Sequence, residues 1–156
     1  MPDQIFVREA AERDHADITG LFVQLKEHHR KLQPANPRYD VQTDLWAEIA
    51  RAALEDPEMH VYIAEVGGLV AGFMKIHFET KPWGLSCELD TMVVDENQRG
   101  RGVGKRLLEE AEEIARSNGA AGIRVDVLIP NYEGREFYER GGYEAFAVRY
   151  GEPVRD

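Results

Sequence analysis

Three glycines alternate with bulkier residues in Arg99-Gly100-Arg101-Gly102-Val103-Gly104-Lys105, and this segment joins two different periodicities. Before it, residues 87–94 form a strand-length run with an apolar end; after it, Val103, Leu107, Leu108, Ala111, Ile114 and Ala115 recur at helical spacing. A strand turning through glycine into an amphipathic helix belongs to a layered α/β fold. The same turn makes a place for an anion. Glycine lets a ligand approach the backbone, and a helix start offers unpaired N–H groups at the positive end of its dipole. A phosphate or pyrophosphate suits such a site, and Arg99, Arg101 and Lys105 add positive charge. The competing reading is a tight turn with no ligand. Two familiar phosphate loops are excluded: Arg99 and Arg106 stand where the Walker loop needs Gly and Ser or Thr, and Lys105 replaces the third glycine of the dinucleotide loop.

The rest of the chain supplies elements to pack around that turn. Residues 5–8 read as an opening strand, and Asp14 as the cap of a helix carrying Ile18, Leu21, Phe22, Leu25 and Leu32 on one face. Pro34 and Pro37 end that helix in a loop over 33–39, and Thr43 caps a second helix with Leu45, Trp46, Ile49 and Ala53, stopped by Pro57. Residues 61–66 and 69–78 flank Gly67-Gly68, the pattern of a β-hairpin. After the glycine turn, Gly119 suits a left-handed helix cap. A strand over 123–129, a short helix over 132–140 and a last strand over 143–150 complete the order β-α-α-β-β-β-α-β-α-β. The expectation is a single mixed α/β domain over 1–156, long enough to bury a core without disulfides or structural metal.

Charge and composition narrow the function. Nineteen basic against twenty-nine acidic side chains leave a net charge of −10, which argues against nucleic-acid binding. Cys87 is the single cysteine, so no intramolecular disulfide and no multi-thiolate metal cage can form, and no metal is expected. No apolar run reaches membrane-spanning length, and the start Met-Pro-Asp-Gln lacks a basic end with an apolar core. A cytoplasmic protein with no membrane partner is the expectation.

The glycine turn resembles the acyl-CoA loop of the GNAT superfamily of N-acetyltransferases, whose pattern is Gln/Arg-x-x-Gly-x-Gly/Ala after an apolar strand. Here it runs Arg99-Gly100-Arg101-Gly102-Val103-Gly104 after Met92-Val93-Val94-Asp95-Glu96. A second stretch, from Asn131-Tyr132-Glu133-Gly134 through Phe137-Tyr138 to Gly141-Gly142-Tyr143, is similar to the family's Asn-x-x-Ala-x-x-Phe-Tyr-x-x-x-Gly-Phe. Gly134 departs from the family's alanine, a change that loosens a helix by about 1 kcal/mol. With the element order, the resemblance covers almost the whole chain. It implies a mixed central sheet flanked by helices, with one strand splayed from its neighbour at the acyl-CoA site.

The resemblance implies acetyl transfer from acetyl-CoA, as cosubstrate, to the amine of an acceptor. Backbone N–H groups of Arg99, Gly100, Arg101, Gly102, Val103 and Gly104, with Lys105 beside them, would hold the pyrophosphate. Met92 and Val94 would line the pantetheine arm, and the Val94 N–H is a candidate oxyanion donor. Tyr138 matches the tyrosine that protonates the departing thiolate; the alternative is a core tyrosine beside Phe137. Asn131 would contact the cofactor, cap the short helix, or do both.

An ammonium must lose a proton before it attacks, because an aliphatic amine has a pKa near 10. Glu88 and Asp90 share a strand face by alternation and are both candidates for the base; the alternative is that they face solvent or pair with a neighbouring arginine. A bulge would reverse their facing. His28 and His29 are too close in sequence for a metal-binding pair and suit a helix C-terminus as imidazolium, while His60 and His77 flank strands. Cys87 reads as a small buried residue, consistent with direct transfer.

The acceptor is expected to meet two irregular walls, residues 32–40 and residues 80–86 with Trp83. Acidic excess suits a cationic acceptor such as a polyamine, an aminoglycoside or a lysine side chain. A non-catalytic acyl-CoA sensor and a cofactor-free interaction module are the rival readings. A homodimer is consistent with family habit.

Overall fold

A computed structural model describes residues 4–37, 43–152 and 154, with the side chains of Thr43 and Asp44 outside that description. Five strands form one sheet in the order β1-β2-β3-β4-β5: β1 Ile5–Glu9, β2 His60–Val66, β3 Leu69–Lys81, β4 Gly84–Val94 and β5 Gly122–Val125. The first four run antiparallel and β5 lies parallel to β4. The helices are α1 His15–Leu32, α2 Thr43–Glu55, α3 Val103–Ser117 and α4 Tyr132–Arg140. The chain forms two compact units, Met1–Asp126 and Val127–Asp156, so the sheet and α1 to α3 belong to the first and α4 to the second.

Hairpin chemistry sets the sheet. Val66 pairs with Leu69 around Gly67 and Gly68, whose φ values of 58° and 80° suit the type I′ turn that matches strand twist. Phe73 turns one way from β3 into a core with Ile18 and Phe22 of α1, Ala50 of α2 and Val93 of β4. By alternation the neighbouring Gly72 turns the other way, toward α3. A Cβ added there would lie 2.6 Å from the Val93 carbonyl oxygen and 3.3 Å from Val103. Glycine at 72 therefore lets α3 seat its first residue, Val103, on the sheet, where it is 1% exposed. That contact anchors the end of the glycine loop.

Several expectations need correction. Asp14 stands at the start of α1 but makes no cap bond to it. Its carboxylate takes a two-pronged bond from Arg8, 2.8 Å at each oxygen, and accepts the Ala11 N–H at 2.7 Å. The Arg8 guanidinium, opposed in part by burial, holds the Asp14 carboxyl below the usual range. The cap role of Thr43 rests on a side chain outside the described residues. The strand expected over 123–129 is shorter, ending at Val125.

Residues 143–150 form no strand at all. Phe146, Val148 and Tyr150 alternate as a strand face would, yet are 74%, 60% and 92% exposed. Alternation describes one side of an extended chain; a strand also needs a ladder partner, which periodicity does not supply. Residues 80–86 are not irregular either. Lys81 pairs with Gly84 around Pro82 and Trp83, so β3 and β4 meet in a tight hairpin.

Candidate active site

The glycine loop is built from backbone. Gly100 and Gly102 have φ values of 79° and 85°, the left-handed region where a side chain is strained, and an added Cβ at either would meet nothing within 4 Å. Gly102 is the cap residue of α3 and has no side chain to satisfy the helix start. The helix's own bonding begins with the Arg106 N–H donating to the Gly102 carbonyl at 3.0 Å. The N–H groups of Val103, Gly104 and Lys105 precede that bond, at the positive end of the helix. Arg99, Arg101 and Lys105 are exposed and make no ion pair among the described residues. Arg106, by contrast, pairs with Glu110 at 2.8 Å. An open, unstrained cradle with cationic rims fits a pyrophosphate.

Just upstream, β4 changes partners. Its pairing with β5 spans only Ser86 to Leu89, ending at Leu89 opposite Val125. On the other side, Leu89 faces Ile76 and Thr91 faces Lys75, so Asp90 is an extra residue, a bulge. From Thr91 to Val94 the strand keeps β3 on one edge and, among the described residues, has no strand on the other. Met92, opposite Met74, and Val94, opposite Gly72, lie on this half-open stretch. The bulge at Asp90 directly follows the end of β5 pairing at Leu89.

The bulge also decides where the two carboxylates go. Glu88 faces Arg124 of β5, which donates from Nε at 2.9 Å and from Nη2 at 2.5 Å to the same oxygen, Oε1. The Ser86 hydroxyl adds a third donor to that oxygen at 3.2 Å. Asp90 turns instead to β3, its Oδ2 lying 2.5 Å from His77 Nδ1. His77 Nε2 meets Glu79 at 2.8 Å, and the other oxygen of Glu79 meets Lys81. Burial works to lower the His77 pKa, but hydrogen bonds to Glu79 and Asp90 outweigh it and raise the value. Glu88 and Asp90 are both held by side chains, one by an arginine as weighed from sequence and one by a histidine that was not considered.

His77 was expected to flank a strand; it lies inside β3. His77, Glu79, Ser86 and Arg124 are the polar residues that the sequence reading missed. The usable signal was the hairpin register: a turn at Pro82-Trp83 places His77 opposite Glu88.

In the second unit, Asn131 caps α4, its Oδ1 accepting the Gly134 N–H at 3.0 Å. Tyr138 packs edge-on against Phe137 and Tyr143, with ring centroids 5.0 and 5.7 Å away. Burial, with a smaller effect from Tyr143, pushes its phenol well above the ordinary value, so the proton stays on oxygen at neutral pH.

The remaining candidates carry no chemistry. Cys87 is fully buried, and burial, with Glu88 and Asp90 nearby, pushes its thiol up to about 11. A thiol so protonated is a poor nucleophile. Burial and the neighbouring His28 lower the pKa of His29, which works against the imidazolium form expected at the helix end. Of the acceptor walls, Leu32 ends α1, residues 38–40 lie outside the described residues, and Trp83 is 51% exposed with Arg124 stacked over it at 5.8 Å. An open cavity of about 500 Å³ is lined by Arg8, Arg13, Asp17, Glu65 and Gln98 among others, and includes none of the site residues expected from sequence.

Comparison with known proteins gives the same assignment. Residues 22–143 match the acetyltransferase (GNAT) family. An uncharacterized N-acetyltransferase, YhfO of Bacillus subtilis, is 31% identical over 142 residues, covering 88% of this chain and 89% of that one. A thialysine N-epsilon-acetyltransferase of Bos taurus is 26% identical over 149 residues, covering 88% of this chain and 83% of its own. The aminoglycoside N-acetyltransferase AAC(6')-Iy, solved in complex with CoA, superposes with a TM-score of 0.75 at 16% identity, covering 100% of this chain and 98% of that one. The half-open strand, the glycine cradle and these relatives agree: this chain belongs to the acetyltransferase (GNAT) family and is an acyl-CoA-dependent N-acetyltransferase that acetylates amines.

Proposed function

We propose that the protein moves the acetyl group of acetyl-CoA directly to a primary amine of a small molecule or peptide, with Asp90 removing the amine's proton. The observation that carries this reading is the bulge at Asp90, immediately after the last β5 pairing at Leu89. It leaves strand backbone unpaired beside a carboxylate. Acetyl-CoA supplies the activated acyl thioester. The backbone of Arg99 to Gly104 would bind its pyrophosphate, with Lys105 at the rim, and the open edge carrying Met92 and Val94 would take the pantetheine arm as another strand would.

The proton must leave nitrogen before attack, since an ammonium has no lone pair. Asp90 Oδ1 carries no protein partner among the described residues and is the atom assigned to receive it; water then removes the proton. Glu88, with Oε1 engaged by three donors, serves to hold Arg124. Tyr138 is assigned as the acid for the departing thiolate by its motif and its protonated phenol. Asn131 is assigned to the cofactor through its motif, in addition to its capping bond.

The named relatives act on a thialysine and on an aminoglycoside. With the net charge of −10, they favour a cationic amine as acceptor. The same reading takes residues 1–156 as one catalytic domain, cytoplasmic and metal-free, working without nucleic acid or membrane, and compatible with a homodimer.

The decisive measurement is CoA release, followed with a thiol reagent, across polyamines, aminoglycosides, amino acids and peptides. Release that depends on one amine class is expected. Calorimetric binding of acetyl-CoA with no release for any amine would establish the sensor instead, and no binding at all would remove the cradle assignment.

A further inference from the structure

Each ring nitrogen of His77 faces a carboxylate oxygen: Nδ1 faces Asp90 at 2.5 Å and Nε2 faces Glu79 at 2.8 Å. An ionised carboxylate only accepts hydrogen bonds, so both bonds form together only when the ring is an imidazolium. Its Cα partner across the ladder is Glu88, not Asp90. The ring reaches Asp90 because the bulge brings that residue back toward β3. Asp90 is the most exposed residue of β4, yet its side chain is only 25% exposed. What the bulge exposes is the backbone, while the carboxylate is held down by His77.

We infer that His77 is a positioning residue for Asp90: its imidazolium fixes Oδ2 across the bulge and leaves Oδ1 for the acceptor's amine. The inference rests on the reading of Asp90 as the base. A carboxylate at a strand irregularity would otherwise sample several rotamers, and a base acts only within hydrogen-bond reach of its proton. His77 supplies the missing constraint. Glu79 fixes the far side of the ring, and Lys81 in turn holds Glu79, so the row Asp90–His77–Glu79–Lys81 is tied from the bulge to the β3–β4 hairpin.

The arrangement depends on the charge of the ring. A neutral imidazole has one N–H for two carboxylates and must abandon one of them. The charges bearing on His77 are those of Asp90 from β4 and Glu79 from its own strand; Glu88 across the ladder is neutralised by Arg124, and Lys75 lies two residues along β3. β2 ends at His60, opposite Ile76, so no β2 residue pairs with His77. As pH rises through the raised His77 value, the imidazolium is lost and the hold on Asp90 weakens.

Three variants test this by steady-state kinetics over pH, with acetyl-CoA affinity by calorimetry as the control for folding. Asp90→Asn is expected to lower kcat about a hundredfold or more, as removal of a general base does. His77→Ala is expected to lower kcat about tenfold with KM for acetyl-CoA unchanged. In His77→Asn the amide nitrogen replaces Nδ1 as donor, so most of that kcat should return. The wild type is expected to show an alkaline fall in kcat as His77 deprotonates, and the Asn variant should lack it. If Asp90→Asn keeps wild-type kcat, the base reading fails and the positioning role falls with it. If Asp90→Asn is inactive but His77→Ala keeps full kcat, or Asn rescues no better than Ala, the positioning role alone is overturned. Should the Ala variant not fold, the pH profile of His77→Asn decides by itself.

Discussion

The glycine loop and the polar row on β3 and β4 sit at the two ends of the half-open strand, and they are made differently. The loop is backbone: two glycines in left-handed conformations and three N–H groups ahead of the first helical bond. The row is side chains: Asp90, His77, Glu79 and Lys81 linked in series across two strands. Backbone recognition needs conformation and space. Side-chain recognition needs register, because the partners lie thirteen residues apart, at 77 and 90, and meet only through the hairpin. The loop is suited to a constant group such as a pyrophosphate. The row is suited to moving and holding a proton.

That contrast breaks most sharply at Gly102. Its φ of 85° penalises any side chain, although an added Cβ meets nothing. A valine there would relax out of the left-handed region in the free enzyme and have to return on binding, at roughly 1–2 kcal/mol. Gly102→Val should therefore weaken acetyl-CoA binding about five- to thirtyfold while kcat at saturation is largely kept. Calorimetry and saturation kinetics separate the two. Unchanged affinity, or a loss confined to kcat, would mean that the loop is not the cofactor's backbone cradle.

The same contrast explains what could be read from the chain. Gly100, Gly102 and the Gly67-Gly68 turn announce their conformations because few other residues adopt them, and α1, α2 and α3 announce their buried faces by spacing. The polar row was hidden. Glu88 and Asp90 were visible as candidates, but His77 could be joined to them only by knowing that Pro82-Trp83 turns the chain and that Asp90 is bulged. A bulge has no composition signature of its own. Residues 143–150 failed for the complementary reason: their alternation is real, but pairing is a property of two segments.

A smaller effect tests the row through stability. His77 has a raised pKa in the folded protein, so its pairing contributes fully below the ordinary imidazole value of about 6.5 and is lost as pH rises through the higher folded value. Glu79, held at about 2 by Lys81 and His77, stays ionised across that window. The stability difference between wild type and His77→Asn, from urea unfolding, should be largest in mild acid and shrink toward alkaline pH. Asp14, whose depressed carboxyl contributes stability that is lost at low pH, cancels in the difference. A difference that is flat with pH would show that folding leaves the ring's pKa unshifted, and the row would then resemble the loop in being indifferent to protonation.

The smallest effect lies at α4, where the two kinds of construction meet in one bond: a backbone donor, Gly134 N–H, satisfied by a side-chain acceptor, Asn131 Oδ1. Glycine inside a helix costs about 1 kcal/mol relative to alanine, so Gly134→Ala should stabilise on propensity alone. The added Cβ, however, would lie 2.5 Å from Asn131 Nδ2 and 2.9 Å from its Cγ. The asparagine must swing away and forfeit its cap, a loss of roughly 0.5–2 kcal/mol. The two terms nearly cancel, so the melting temperature should move by no more than a few degrees. The informative readout is acetyl-CoA affinity. If Asn131 reaches the cofactor while it caps the helix, its displacement weakens binding with stability unchanged; if affinity and stability both hold, Asn131 is a cap and nothing more.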